Sequence, residues 1–187
     1  MLFEIKGSET IRDEFDYPGV RVYITAHFES SMQNFKIDIS TGDVITPAAV
    51  RYDYPLMFED RTIPLMSYNI ETILAEKLQT IMARAQANTR MRDFYDIYVI
   101  SGNEEIDYNE LRNAFYATCE SRKTENLIPD IMEIYDAVAE SEAMKNQWEN
   151  YKNRNYYVGD LSWENVTTVC IELAEVIDSG PVQFFGM

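Results

Sequence analysis

The chain has 187 residues, 46% of them hydrophobic and 13% aromatic, which is enough apolar material for one domain of moderate size with a real core. Its 32 acidic residues against 16 basic ones give a formal net charge of -16, which disfavours unspecific attraction to nucleic acid or to an anionic membrane, although a local basic pocket can persist inside an acidic shell. No apolar run approaches a membrane span and no secretory pattern opens the chain, so the expected location is the cytoplasm; Cys119 and Cys170 lack metal-ligand spacing and read as reduced, buried groups.

Residues 1 to about 45 read as β structure, because apolar and polar residues alternate and turn residues separate the runs. Leu2–Lys6 alternates, and Asp16-Tyr17-Pro18-Gly19 is a turn. Val20–Phe28 follows with Val20, Val22, Ile24, Ala26 and Phe28 on one side and His27, the one histidine, on the solvent side. In Phe35–Ser40 the residues Phe35, Ile37 and Ile39 share one face, and Lys36, Asp38 and Ser40 share the other. Residues 44–66, with prolines at 47, 55 and 64, read as irregular or extended.

From residue 67 the pattern becomes helical. Asp107 with Glu110 predicts a capping box before a helix through Leu111, Phe115 and Cys119, and Pro129 opens a helix presenting Ile131, Ile134, Tyr135 and Val138. A further helix covers about Glu142 to Arg154. The last starts after Ser162, buries Val166, Val169, Cys170, Leu173 and Ile177, and stops at Gly180-Pro181. Strands first and helices afterwards predict an α+β fold, a small and mainly antiparallel sheet followed by a helical bundle; the expected division is a sheet region over 1–66 and a helical subdomain over 67–187 packed on it as one structural unit.

The most informative stretch is Asn69–Arg84. At about 100° per residue, Ile70, Ile73, Leu74, Leu78 and Ile81 form one apolar stripe, and Lys77 projects from within it, with Arg84 on the same face two turns on. A cation on the buried side is costly unless an anion meets it, and the nearest candidates are Asp93 and Asp96 in Arg90-Met91-Arg92-Asp93-Phe94-Tyr95-Asp96. Two roles for Lys77 follow: a structural ion pair between helices, or a phosphate-binding point charge. Arg90, Arg92, Asp93 and Asp96 could equally form pairs along a surface helix. The aromatic segment from Trp148 to Tyr157, with Lys152 and Arg154, is suited either to core packing or to stacking a base or an RNA end.

Ile73-Leu74-Ala75-Glu76-Lys77-Leu78 together with Arg90-Met91-Arg92-Asp93-Phe94-Tyr95-Asp96 resembles, in order and separation, the paired motifs of the AbiEii/AbiGii toxin family, a branch of the DNA polymerase β-like nucleotidyltransferases. Phe35–Ser40 looks like the later carboxylate strand of that fold, and the helices carrying Trp148 and Trp163 resemble its helical half; the resemblance spans about residues 20–178. It implies metal-dependent transfer of a nucleotide to an acceptor. Asp38 would be the carboxylate that completes a Mg²⁺ site with a preceding pair, Lys77 would hold the triphosphate with Arg84, Arg90 and Arg92 nearby, and Asp93 or Asp96 would orient the lysine or the acceptor.

The family's glycine-serine turn, helix and strand with two alternating carboxylates are not found. Gly7-Ser8 with Glu14 and Asp16 is a partial mimic, but the intervening residues are too few for the helix. The resulting expectation is a truncated or split family member of toxin-antitoxin or phage-defence type, whose N-terminal part is missing or supplied by another chain, without independent transferase activity. A cognate antitoxin or an upstream transferase fragment is the expected partner, a nucleoside triphosphate a possible ligand, and tRNA binding by this chain alone doubtful on charge. The alternatives are a non-catalytic interaction or nucleotide-binding module, self-associating through an exposed sheet edge, and an active enzyme using Glu14, Asp16 and Asp38 with Mg²⁺ on tRNA.

Overall fold

The computed structural model describes residues 1–12 and 18–180, and the chain divides into two compact units, Met1–Asp43 and Val44–Met187. Glu14 and the first two residues of the turn read at Asp16–Gly19, Asp16 and Tyr17, lie outside the described residues, as does Pro181.

Alternation builds the first unit. Strands β1 (Leu2–Arg12), β2 (Pro18–Phe28) and β3 (Ser31–Ile39) form an antiparallel sheet in the order β1-β2-β3. β1 is longer than the sequence pattern suggests because its register shifts between Ile5 and Gly7. That irregularity switches the alternation, so Ser8 and Thr10 pair with Val22 and Val20 while Glu9 moves to the polar face opposite Arg21. One face carries Phe3, Ile5, Val20, Val22, Ile24, Phe28, Phe35, Ile37 and Ile39, with the Phe3 and Phe35 rings edge to face at 6.2 Å. The other face is a ladder of polar pairs: Glu4 with His27, Thr25 donating to Asn34, Tyr23 donating to Glu9, and Arg21 with Asp38.

In the second unit, β4 (Val50–Pro55) and β5 (Thr62–Ser67) form a hairpin within the stretch read as irregular or extended, so the extended reading holds there and the pairing is what the pattern did not show. Both strands of a two-stranded ribbon are edges, so Pro55 and Pro64 can sit in it with no central ladder bond to lose. The hairpin groups with the helices, which puts the division of the chain at 43/44, whereas the sequence pattern placed it at 66/67.

Six α-helices follow: α1 (Ile70–Arg84), α2 (Met91–Asn103), α3 (Tyr108–Arg122), α4 (Ile131–Glu140), α5 (Glu142–Arg154) and α6 (Trp163–Asp178). Asp107 caps α3 by accepting from the amides of Asn109 and Glu110, but its own amide donates to Glu71 of α1 and not to Glu110, so the expected capping box is replaced by a tie between helices. Ser162 and Asn165 do form a capping box at α6. Pro129 lies inside a 3-10 turn, Glu125–Asp130, immediately before α4.

The core is helical: Leu74, Leu78 and Ile81 of α1, Phe94 and Ile97 of α2, Leu111 and Phe115 of α3, Tyr135 of α4, Trp148 of α5, and Val166, Cys170 and Ile177 of α6 are all buried. Three of its buried aromatic residues have hydrogen-bond partners. Trp148 Nε1 donates to Leu161 O at 3.0 Å, Trp163 Nε1 to Ala139 O at 2.9 Å, and the Tyr135 hydroxyl to Leu78 O at 2.8 Å. Both cysteines are free and buried, and burial first of all pushes the Cys119 thiol up to about 11. Trp148→Ala removes a fully buried ring and its hydrogen bond, and urea unfolding is expected to show a loss of about 3–5 kcal/mol.

Candidate functional site

The start of α1 is fixed by side chains. Asn69 accepts from the Thr72 amide and donates to Thr46 O at 2.8 Å, while the Thr72 hydroxyl bridges the amide and carbonyl of Thr46. Two turns into the helix, Lys77 leaves the apolar stripe in the direction of α2. Asp93, in the first turn of α2, and Asp96, three residues on, share one face of that helix. Lys77 Nζ donates to Asp93 Oδ1 and to Asp96 Oδ2, each at 2.8 Å, with side-chain exposures of 19%, 16% and 28%.

Burial alone would lower the Lys77 pKa, but the hydrogen bonds and charges of Asp93 and Asp96 outweigh it, and the net shift is upward. The ammonium is therefore held charged, and it offsets one of the two negative charges that Asp93 and Asp96 bring side by side. Arg92 borders the cluster, its Nε 3.9 Å from Asp96 Oδ1. Arg84 lies half-buried in the last turn of α1, and Arg90 occupies the cap position before α2, where its amide donates to Asn88.

A second polar network, with no signal in the local sequence pattern, lies on the neighbouring positions of α1. Arg122, at the end of α3, reaches Glu76 at 3.5 Å and donates to Gln79 Oε1 at 2.7 Å and Thr80 Oγ1 at 3.2 Å, and buried Gln79 donates to Thr124. More than forty residues separate Arg122 from these partners, so no helical spacing connects them. A cavity of about 460 Å³ opens at the other end of α2, lined among others by Tyr98, Ser101, Tyr108 and Glu172.

Asp38 belongs to the first unit. Arg21, directly opposite on β2, grips both of its carboxylate oxygens, Nε to Oδ1 at 2.7 Å and Nη2 to Oδ2 at 2.8 Å. That bond holds Asp38 below the usual carboxylate range. Mg²⁺ needs several hard oxygens around one point, and among the described residues no group of three or more His, Cys, Asp or Glu could hold a metal ion. With Asp38 engaged by Arg21, the described residues do not fit the ion.

The sequence profile of the family described as nucleotidyl transferase AbiEii toxin, type IV toxin-antitoxin system, matches residues 2–169. The chain belongs to the AbiEii family. The matched residues include Lys77 of α1 and the Asp93 and Asp96 of α2 that converge on it. No curated protein matches the chain significantly. Two solved structures from Helicobacter pylori are similar, each at 14% identity over 95% of this chain: a candidate nucleotidyltransferase with a TM-score of 0.41, and JHP933 with a TM-score of 0.40. The chain covers 67% and 65% of their respective lengths, about two thirds. Among the described residues no helix is long and apolar enough to cross a membrane.

Lys77→Met leaves Asp93 and Asp96 facing each other in a partly buried site, and urea unfolding at neutral pH is expected to show a loss of about 2 kcal/mol, less than for a fully buried pair because water still reaches the groups. Since the Lys77 pKa is raised by folding, its contribution is complete below the ordinary lysine value and disappears as pH rises through the raised one. The difference between wild type and Lys77→Met therefore stays level from about pH 6 to 9 and closes only at more alkaline pH.

Proposed function

We propose that this AbiEii-family chain serves a bacterial type IV toxin-antitoxin system as a nucleotide-handling module without independent transferase activity. The observation that carries the reading is the engagement of its charged groups: Lys77 is clamped by Asp93 and Asp96, and Asp38 is gripped by Arg21. Mg²⁺-dependent transfer would need carboxylates from outside the described residues. A cognate antitoxin is the partner that the family description suggests. Defence against phage is the setting in which such a module would act.

The direct test incubates the purified chain with Mg²⁺, labelled nucleoside triphosphates and tRNA. No label is transferred if the reading holds, while saturable triphosphate binding is weakened by Lys77→Ala. Label transfer abolished by Asp38→Ala would overturn it.

A second reading, as a protein-interaction module, draws on the apolar face of the three-stranded sheet, where Phe3 is 59%, Ile5 71%, Phe28 57% and Ile39 51% exposed. On that reading the chain sediments as an oligomer at micromolar concentration, and a monomer there would count against it.

A further inference from the structure

We propose that the rings of Tyr156, Tyr157 and Tyr95 form a stacking subsite for an unpaired nucleobase beside the Lys77 cluster. The inference rests on the nucleotide-handling reading for the character of its neighbour.

Tyr157 organises the group. Its hydroxyl lies 2.9 Å from that of Tyr151, its carbonyl accepts from the Tyr95 hydroxyl at 3.4 Å, and its ring centroid is 5.2 Å from Tyr95 and 6.0 Å from Tyr156. The inner members do ordinary packing: Tyr151 stacks on Trp148 at 5.6 Å, and Tyr95 and Tyr151 lie against the core. The outer members do not. Tyr156 is 96% exposed and Tyr157 46%, so burial gives no reason for aromatic side chains there. Their backbone is nonetheless fixed. They sit in a 3-10 turn, Tyr156–Val158, closed by the Val158 amide on Asn155 O at 3.0 Å, and Asn155 is anchored to Tyr151 O at 2.7 Å. A ring held out on a fixed turn loses little entropy when a flat partner stacks on it.

The polar side of the platform is what selects a nucleotide. Asp96 and Arg92 both act electrostatically on the Tyr151 hydroxyl, and Asp96 is itself bound to Lys77. Arg92 keeps 77% of its side chain exposed, at 3.9 Å from Asp96, and can meet a phosphate while the base lies on Tyr156. Stacking tolerates any base, because every base has a π face. The overall charge of -16 repels a long polyanion and leaves a single nucleotide or one strand end as the ligand. The shared chemistry is an unpaired base with its phosphate, from either source.

Binding of AMP and of a labelled single-stranded oligoadenylate to the full chain separates the sources: both bind if the ligand is a free nucleotide, and only the oligomer binds if it is a strand end. In either case Tyr156→Ala weakens binding about 5- to 150-fold, the range for losing one aromatic-base stack, while Tyr156→Trp retains it and Arg92→Ala also weakens it. The thermal midpoint of Tyr156→Ala stays at the wild-type value. Failure of both probes to bind, the result a protein partner for these rings would give, overturns the proposal, as does unchanged affinity in Tyr156→Ala. Tyr156-dependent binding that persists while Lys77→Ala leaves triphosphate binding untouched would count against the Lys77 reading and not against the platform.

Discussion

The second unit depends on one cation. Lys77 rises from the apolar stripe of α1, between residues that are fully buried, and an ammonium there is tolerated only because α2 brings two carboxylates to within 2.8 Å of it. That requirement sets the approach of α2 to α1: its first turns must face the lysine, with Asp93 and Asp96 on the inner side. Once they do, Phe94 and Ile97 fall into the core beside Leu74 and Leu78, and Arg92 and Tyr95 are turned toward the outside of the same cluster. Arg122 adds a second tie, from α3 to the adjoining positions of α1, and Glu71 a third, to the cap of α3.

The same economy of charge explains what the site lacks. Asp38, with both oxygens held by Arg21, offers no open coordination position to a metal, while Lys77 spends two of its three ammonium N–H donors on Asp93 and Asp96 and keeps one for a phosphate. Chelation by Arg21 is the ordinary arrangement for opposite charges directly across a strand pair, and it serves the polar face of the sheet in the same way as the neighbouring Glu4–His27 and Thr25–Asn34 pairs. The chain belongs to the AbiEii family, and within it Lys77 of α1 meets Asp93 and Asp96 of α2.

The Lys77 cluster was readable in advance because every part of it is local or periodic: helical spacing gives the stripe, the misplaced lysine asks for an anion, and two aspartates three residues apart supply it. Asp38 was readable as a position, on the polar side of an alternating strand, but not as a partner of Arg21, because the pairing register is a property of the sheet. The bulge in β1 and the hairpin at 50–67 escaped for a related reason. The shift falls in Lys6-Gly7-Ser8-Glu9-Thr10, where no apolar residue shows the alternation changing phase, and proline's usual exclusion from strands does not apply where both strands are edges.

The sequence by itself determined the α+β class, the helices, the capping residues Asp107 and Ser162, and the lysine that must find carboxylates, since these follow from periodicity, from capping chemistry and from the cost of burying a charge. Only the tertiary structure decided that both aspartates, and not one, close on Lys77, that Arg122 reaches back to Glu76, and that an exposed tyrosine turn stands beside the cluster. Those contacts join residues far apart in the chain, and the packing of helices against one another, which no local pattern encodes, brings them together.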